Sequence, residues 1–326
     1  MIDRRLKHLF IVGVGRSGTT LLQSMVNAHP MISVMPETHF LSSHLLPHTS
    51  DRLEDARPRL VADNRLSRLN LNPDVLLDRF RSNERVFSLA GFYLDLLSEY
   101  AATHDVSIVG DKTPKNIEYL LPIKVMAPDA YIVHLIRDPR DVYLSRVQAK
   151  WSAGRTDMSH CLAYRAQIQL GQQHGRGLFG NRYIEVFYEN FLVDPASGLK
   201  RLTDCLGIPY DSAMLDFNES AKELVADDEK EWKRNVTGPL LMNNMNKWRD
   251  ELSDSQVRRL EAACWPVFAQ GLYRRSPKSP RSLGPADLLI RVFFASLSWA
   301  YRQRVAQANR KCVRIIRRQL RLQDDG

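Results

Sequence analysis

Residues 9–26 read LFIVGVGRSGTTLLQSMV. The first four are apolar, β-branched or aromatic, which is typical of a buried strand. The last six place apolar side chains at helical spacing, and Pro30 ends that helix because proline disfavours the α conformation in the residue before it. This stretch therefore predicts a strand, a glycine-rich turn and a helix in direct succession.

The same order of elements recurs along the chain. Short apolar runs at 106–109, 131–136 and 183–187 each lead into a turn. Strands that alternate with helices predict an α/β fold with a mostly parallel central sheet. Such sheets bind ligands beyond the carboxyl ends of their strands, so we expect the motifs after the first three strands to face one crevice. Helices are predicted at 73–81, 87–100, 142–150, 194–207 and 253–268.

The charge of the chain is unevenly distributed. Its 326 residues carry 46 Lys and Arg against 37 Asp and Glu, a net charge of +9. Residues 274–326 hold 13 of the basic residues and 3 of the acidic ones, so the rest of the chain is close to neutral. A hydrophobic share of 44% excludes a disordered or collagen-like chain. No nucleic-acid-binding motif accompanies the basic tail, so nucleic acid is not a predicted partner.

The four cysteines, Cys161, Cys205, Cys264 and Cys312, are widely spaced. Without CxxC spacing they predict neither a zinc site nor a disulfide framework, and buried thiols are their expected state. The apolar run 9–14 is too short for the core of a signal peptide. These features predict a reducing, cytoplasmic location.

The glycine-rich turn after the first strand suits an anion. Backbone N–H groups converge there, and the following helix adds the partial positive charge of its N-terminus. Glycine permits a positive φ or a close approach of the backbone to a ligand, while arginine and hydroxyl side chains add hydrogen-bond donors. The alternative is an ordinary turn between strand and helix. The candidate phosphate-binding residues are Gly15, Arg16, Ser17, Gly18, Thr19 and Thr20.

The loop is not of the nucleotide-triphosphate type. That type requires GxxxxGK[ST], and Gly18 stands where its lysine would be. Gly13, Gly15 and Gly18 fit the GxGxxG spacing of dinucleotide-binding loops, and Glu37 follows about 20 residues later. Because that pattern does not explain the arginine and hydroxyl residues, dinucleotide binding is a secondary alternative.

A second candidate phosphate site follows the strand at 131–136. Arg137 at its end offers two parallel hydrogen bonds to a phosphate, and the hydroxyl of Ser145, on the next helix, can reach the same anion. Asp138 and Pro139 predict the N-cap and the first position of that helix. Two phosphate sites at two strand ends suit a nucleotide that carries two separate phosphate groups.

The string at 15–22, GRSGTTLL, resembles the 5′-phosphosulfate-binding loop of sulfotransferases that use 3′-phosphoadenosine 5′-phosphosulfate (PAPS). Its Arg-Ser-Gly-Thr-Thr form is similar to the tyrosylprotein sulfotransferases and to many bacterial members. Residues 137–145 resemble the family's 3′-phosphate-binding motif, and the resemblance extends over about residues 8–273. It implies a P-loop-like, three-layer sulfotransferase domain at 1–275 that takes the sulfonyl group from PAPS and requires no metal.

The resemblance also implies roles for individual residues. Arg16 and the loop amides would hold the 5′-phosphosulfate, and Arg137 and Ser145 would hold the 3′-phosphate. Glu37 occupies the place of the general-base glutamate in the tyrosylprotein branch. Sulfonyl transfer to an alcohol needs such a base and a stabilised leaving group. His39 is the rival base, because imidazole titrates near neutrality.

Three further residues are candidates with open alternatives. Lys112 lies in a Lys-Thr-Pro segment similar to that of many carbohydrate sulfotransferases and would stabilise the transferring sulfonyl group, or it pairs with Asp111 in a turn. Tyr188 would contact the adenine, or it is a core aromatic. Lys247 best matches a PAPS-binding lysine of the family's C-terminal loop. Open positions in that loop are Arg234, Asn235 and Thr237.

A linker rich in serine and proline at 276–285 separates the body from a basic amphipathic helical extension at 286–326. The extension has three candidate roles. Residues 286–322 dock on the body or form a homodimer, lie on an anionic membrane surface, or collect an anionic acceptor. Membrane contact would place the protein at the inner face of the membrane.

The sequence thus predicts transfer of the sulfonyl group from PAPS to a hydroxyl or amine of an acceptor, with Glu37 as general base. No motif in residues 38–105 states whether the acceptor is a glycan, a lipid, a protein or a metabolite. Two alternatives remain. One is a nucleotide-dependent phosphoryl-transfer enzyme, disfavoured by the missing Gly-Lys-Ser/Thr, and the other is a non-catalytic protein that binds through its basic tail.

Overall fold

The computed structural model describes residues 6–47, 52–82, 86–217, 244–279 and 284–324. Within these ranges, five strands form one sheet: β1 (Lys7–Gly13), β2 (Ile32–Met35), β3 (Ile108–Asp111), β4 (Tyr131–Ile136) and β5 (Tyr183–Phe187). Their order across the sheet is β2-β3-β1-β4-β5, and all neighbouring pairs are parallel. The prediction of an α/β fold around a parallel sheet is confirmed.

Helices connect the strands and cover the sheet. The α-helices are α1 (Thr19–Asn27), α2 (Leu53–Val61), α3 (Asn64–Ser67), α4 (Pro73–Ser82), α5 (Leu89–Thr103), α6 (Leu120–Met126), α7 (Pro139–Val147), α8 (Asp157–Phe179), α9 (Tyr188–Val193), α10 (Pro195–Leu206), α11 (Trp248–Glu251), α12 (Asp254–Ala263), α13 (Trp265–Ala269) and α14 (Pro285–Asp324). Short helical turns lie at Leu41–Leu45, Pro114–Tyr119, Lys150–Ser152, Gly180–Arg182 and Ser212–Leu215.

The sheet is buried on both faces. On β1, Phe10 and Val12 belong to an apolar cluster that includes side chains of α5 and α6. Leu9 and Ile11, which point the other way, belong to a cluster with α1 and α10. This double burial explains why the strand is apolar throughout rather than alternating. The sheet and its two helical layers form the three-layer arrangement that the family resemblance implies.

The strand order determines where the loops meet. Because β1 lies between β3 and β4, Phe10 pairs with Asp111 on one side and Gly13 pairs with Leu135 on the other. The loops that follow these three strands therefore leave the sheet side by side at the same edge. A site at that edge receives residues from three separate parts of the sequence.

One predicted helix is wrong, and one strand was not predicted. Residues 253–268 form two helices, α12 and α13, which divide at Cys264. Pro266 has no N–H group to continue the hydrogen-bond ladder of α12, so the chain starts a second helix. The unpredicted strand is β2, which has four residues and lies at the edge of the sheet. Four residues are too few to show a clear hydrophobic period.

The basic extension forms the long helix α14, which packs against the body. Cys312 and Ile316 are buried in the cluster that contains α5. The Tyr301 hydroxyl donates to Oε1 of Glu118 (2.7 Å), and Nδ2 of Asn309 donates to the backbone carbonyl of Glu118 (2.7 Å). Body and extension thus share one core, although a linker separates them in the sequence.

The outward face of α14 changes character along the helix. Near its start, Leu289, Val292 and Trp299 are exposed, whereas most of the exposed side chains in 304–318 are Arg or Lys. In the part of the chain that the structure describes, no helix has the length and apolar character needed to cross a bilayer. Contact of this outward face with a membrane surface or a second copy stays a prediction.

Candidate functional site

The glycine-rich loop turns sharply between β1 and α1. The backbone N–H of Ser17 donates to the carbonyl of Val14 (3.1 Å), and both Arg16 and Gly18 have a positive φ, of 79° and 95°. At Gly18 a Cβ would also overlap the ring of Tyr188. Gly18 is therefore required by conformation and by close packing. Gly15 is not, because its φ is not positive and nothing lies within 4 Å of its Cβ position.

This difference between the two glycines gives a stability prediction. Gly18→Ala is expected to lower the free energy of unfolding by about 2–5 kcal/mol, because it adds backbone strain and an overlap with the Tyr188 ring. The matched control, Gly15→Ala, is expected to change it by less than about 1 kcal/mol. Urea denaturation of both variants measures the difference. Equal losses in the two variants would contradict the packing role assigned to Gly18.

The two predicted phosphate motifs are in direct contact. Nε of Arg16 donates to the hydroxyl of Ser145 on α7 (3.1 Å). The guanidinium of Arg137, at the end of β4, donates to the carbonyl of Arg16 (3.1 Å) and to that of Asn244 (2.7 Å). Ser145 was predicted to meet the same anion as Arg137, and in the structure its hydroxyl accepts from Arg16. The loop after β1 and the motif after β4 thus form one continuous basic surface.

Helix α7 begins as its sequence predicts. The side chain of Asp138 accepts from the backbone N–H of Arg140 (2.9 Å), and Pro139 occupies the first turn. Arg140 itself is buried between Asp138 and Glu261, with guanidinium nitrogens 2.6 Å and 2.8 Å from their carboxylates. Arg140 therefore has a structural role, whereas Arg137 points toward the glycine-rich loop.

The electrostatics of this surface favour an anion. Burial, and then the charge of Arg137, lower the pKa of Arg16, so two cations lie close together in a poorly solvated place. The hydroxyl of Ser17 and Nε of Arg137 are buried and have no hydrogen-bond partner among the described residues. Buried polar atoms are nearly always hydrogen-bonded in folded proteins. A bound phosphate group would offset the two positive charges and could accept a hydrogen bond from Arg137.

The candidate base lies between two basic side chains. Glu37 follows β2, and its Oε1 accepts from Nζ of Lys112 (2.6 Å), while its Oε2 lies 3.2 Å from Nε2 of His39. Lys112 is only 1% exposed, and its Nζ also lies 3.4 Å from the hydroxyl of Thr20 in the glycine-rich loop. A single buried lysine thus connects the carboxylate to the anion-binding loop.

A buried hydrogen-bond network around Asp111 holds the segment that carries Glu37 in position. Asp111 accepts hydrogen bonds from the Thr38 hydroxyl, from Tyr93 OH (3.2 Å) and from Nδ2 of Asn116 (3.3 Å). Burial raises the pKa of Asp111, and the bonds from nearby threonine hydroxyls oppose that shift. The network ties the residue after Glu37 to the end of β3. The alternative that Lys112 pairs with Asp111 is wrong, because other groups use the Asp111 carboxylate.

The three strand-end loops open into one cavity of about 620 Å³. This confirms the prediction that they share a crevice. Ser17 and Lys112 are buried beside the cavity rather than on its wall. Predicted residues on the wall are Gly15, Arg16, Gly18, Thr19, Thr20, Glu37, His39, Arg137, Ser145 and Tyr188. Wall residues that sequence reasoning missed include Pro114, Lys115, Glu118, Arg146, Trp151, Arg155, Gln167, Asn244 and Tyr301.

Tyr188 joins the two sides of the phosphate surface. It is the first residue of α9, and its ring lies against Gly18 and 4.5 Å from the guanidinium carbon of Arg137. Its hydroxyl accepts from Nδ2 of Asn244 (2.8 Å). The side chain is buried and also reaches the cavity, so the two alternatives for Tyr188, core aromatic and ligand contact, are compatible.

The segment before α11 is docked on α7 through Asp141. The carboxylate of Asp141 accepts from the backbone N–H groups of Asn246 (2.7 Å) and Trp248 (3.0 Å). Lys247, the predicted PAPS-binding lysine, does not line the cavity, whereas Asn244 does. The open positions Arg234, Asn235 and Thr237 lie outside the described residues. No sequence signal distinguishes Asn244 from its polar neighbours.

The cavity brings Glu37 and the two candidate phosphate motifs together at one edge of the parallel sheet. The model of the Sulfotransferase family matches residues 8–212, well over half of the chain. The chain therefore belongs to the sulfotransferase family, and the resemblance predicted from its loop is confirmed. Within the described ranges, no three His, Cys, Asp or Glu side chains are grouped so that they could hold a metal ion.

Several curated proteins are similar to this chain. Protein-tyrosine sulfotransferase A of Caenorhabditis elegans is 21% identical over 88% of this chain and 72% of its own length. The protein-tyrosine sulfotransferase of Drosophila melanogaster is 22% identical over 78% of this chain and 50% of its own length. An uncharacterized Aquifex aeolicus protein is 23% identical over 74% of this chain, which spans only 30% of that protein.

Two solved structures share the fold. The sulfotransferase domain of the Synechococcus PCC 7002 olefin synthase has a TM-score of 0.63 at 21% identity, covering 84% of this chain and 97% of its own. The sulfotransferase domain from the curacin biosynthetic pathway has a TM-score of 0.62 at 20% identity, covering 83% and 100%. At these identities the likeness concerns the fold.

Proposed function

We propose that this protein transfers the sulfonyl group of PAPS to a hydroxyl or amine of an acceptor. The observation that carries the proposal is the position of Glu37. Its carboxylate lies on the wall of the same cavity as the glycine-rich loop and the Arg137–Ser145 motif. A base and two phosphate sites in one cavity are what transfer from a bisphosphorylated sulfonyl donor requires.

The residues around the cavity fit PAPS as a substrate. The loop amides and Arg16 would bind its 5′-phosphosulfate, Arg137 and Ser145 its 3′-phosphate, and Tyr188 its adenine. Support comes from Arg137, which lines the cavity and whose Nε lacks a partner among the described residues. PAPS supplies a sulfonyl group on a good leaving group, and the protein supplies positive charge around both phosphates.

The chemistry is a direct displacement at sulfur. The acceptor oxygen or nitrogen bonds to sulfur while the bond from sulfur to the phosphate oxygen breaks, and 3′,5′-bisphosphoadenosine leaves. Glu37 takes the proton of the acceptor as it attacks. Lys112, which reaches both Glu37 and Thr20, holds the carboxylate in place and adds positive charge beside the loop. The mechanism uses no metal ion.

The two alternatives have less support. A phosphoryl-transfer enzyme needs a lysine in the loop that contacts the β- and γ-phosphates, and Gly18 occupies that position. A purely non-catalytic protein would not need a carboxylate held between His39 and a buried lysine. The position of the protein in the cell and any contact of α14 with a membrane remain predictions from the sequence.

Transfer from PAPS labelled with radioactive sulfur tests the proposal. The full-length protein is incubated with labelled PAPS and a panel of glycans, lipids, peptides and phenols, and each product is examined by mass spectrometry for the gain of one SO₃ group. We expect transfer to at least one acceptor. A folded protein that binds ATP more tightly than 3′,5′-bisphosphoadenosine and transfers no sulfonyl group would overturn the proposal.

A further inference from the structure

A second basic cluster lines the same cavity. It consists of Arg146 on α7 together with Trp151 and Arg155 in the connection to α8, and all three residues line the cavity. The guanidinium carbons of Arg146 and Arg155 lie 5.4 Å and 5.6 Å from the centre of the Trp151 ring. No sequence motif of the phosphate sites includes these residues.

Arg146 is a buried cation with no carboxylate partner among the described residues. Arg146 is only 5% exposed. Among the described residues, no carboxylate oxygen lies within 4.0 Å of the guanidinium of Arg146 or of Arg155. Arg140, which is equally buried on the same helix, has two carboxylate partners. Burial of an unpaired charge is costly, so the comparison with Arg140 indicates that Arg146 is available to bind an anion in the cavity.

The neighbours of Arg146 do not supply the missing negative charge. Nε of Arg146 donates to Nδ1 of His160 (3.1 Å), and Nε2 of that ring lies 3.1 Å from the Ser152 hydroxyl, an arrangement that requires the neutral imidazole. Burial, and then Arg146 and Arg155, lower the pKa of His160. Burial, and then Arg155, also lower the pKa of Arg146 to about 10, so Arg146 still carries its charge at neutral pH.

One carboxylate does face this part of the cavity. Oε1 of Glu118 accepts from Nε2 of Gln167 (2.6 Å) and from the Tyr301 hydroxyl (2.7 Å). Its charge is partly satisfied by these bonds, and Lys115 adds a further cation to the same wall. Four charged side chains lie here, Glu118, Lys115, Arg146 and Arg155, so three cations face one carboxylate.

We propose that Arg146, Arg155 and Trp151 form an acceptor subsite that binds an anionic group, such as a carboxylate or a sulfate. This inference rests on the proposed function, because the acceptor must reach Glu37 in the same cavity. Arginine suits such groups by paired hydrogen bonds, and the half-exposed Trp151 ring offers a flat surface beside them. The preferred acceptor therefore carries a negative charge in addition to the hydroxyl or amine that receives the sulfonyl group.

The test compares two phenols that differ in one charge, 4-hydroxyphenylacetate and its methyl ester. Binding of each to the full-length protein is measured by tryptophan fluorescence with saturating 3′,5′-bisphosphoadenosine, which requires no turnover. We expect tighter binding of the anionic phenol. Arg146→Gln is expected to weaken that binding about 10- to 100-fold and to leave the ester unchanged. Arg146→Lys is expected to retain much of the preference for the anion.

The control variant is Arg182→Gln. Arg182 lies outside the cavity and forms an ion pair with Asp129, so its replacement should alter the affinity for neither phenol. Equal binding of the two phenols by the unaltered protein, or no binding of the anionic one, would overturn the subsite. Loss of 3′,5′-bisphosphoadenosine binding in Arg146→Gln would assign the arginine to PAPS instead. Charge-dependent binding without any sulfonyl transfer would preserve the subsite and count against the proposed function.

Discussion

Glu37→Gln is expected to lower kcat for sulfonyl transfer by about 10²–10⁴-fold while affinity for 3′,5′-bisphosphoadenosine stays within about twofold. The amide keeps the shape of the side chain, and its oxygen can still accept from Lys112, but it cannot take a proton from the acceptor. Single-turnover rates and equilibrium titration of the nucleotide measure the two quantities separately.

His39→Gln is the matched variant for that experiment. Its ring lies 3.2 Å from Glu37, so it removes a neighbour of the carboxylate without removing the carboxylate. We expect a loss of less than about tenfold, because His39 contacts Glu37 but is not the proposed base. A larger loss for His39→Gln than for Glu37→Gln would transfer the role of general base to the histidine. Full activity of Glu37→Gln would exclude Glu37 from it.

Arg137→Gln is expected to remove most of the preference for 3′,5′-bisphosphoadenosine over adenosine 5′-monophosphate. The two nucleotides differ only in the 3′-phosphate, and charge-assisted hydrogen bonds to such a group are worth about 10- to 100-fold in affinity. Calorimetric titration of both nucleotides gives the ratio. Ser145→Ala should reduce the same ratio by a smaller factor, since its hydroxyl carries no charge.

Comparing the two nucleotides separates recognition of the 3′-phosphate by Arg137 from its structural support of the glycine-rich loop. Arg137 also donates to the carbonyls of Arg16 and Asn244, so its loss could disturb the loop as a whole. A disturbed loop would weaken the binding of both nucleotides equally and leave the ratio of their affinities unchanged. That outcome would contradict the assignment of Arg137 to the 3′-phosphate and leave it as a support of the glycine-rich loop.

Local sequence predicted the parts of the site that are continuous in the chain. The run from β1 through Gly18 into α1 carries its own strand pattern, turn residues and helix pattern, and Arg137 to Ser145 carries a strand end, an N-cap and a helix. Such elements are specified by interactions within about 20 residues. Their contact with each other, through Arg16 and Ser145, depends on the strand order, which no local pattern states.

The remaining parts of the site depend on contacts between distant segments. Lys112 was identified as a candidate, but its partner is Glu37, 75 positions away, because β2 and β3 are neighbours in the sheet. The short β2 had no readable period. Trp151 and Arg146 look like ordinary surface residues in sequence. Only the structure shows that Arg146 is buried on the cavity wall with no carboxylate partner in the part of the chain that it describes.

The docked helix α14 brings a residue from outside the family-matched stretch to the cavity wall. The stretch matched by the family model ends at residue 212, and it contains the loop and motif proposed to bind PAPS. Tyr301 belongs to a 40-residue helix beyond that stretch, yet it lines the same cavity. Substitutions in α14 can therefore reshape this cavity wall while the residues proposed to bind PAPS stay unchanged, which makes the helix a separable source of new specificity.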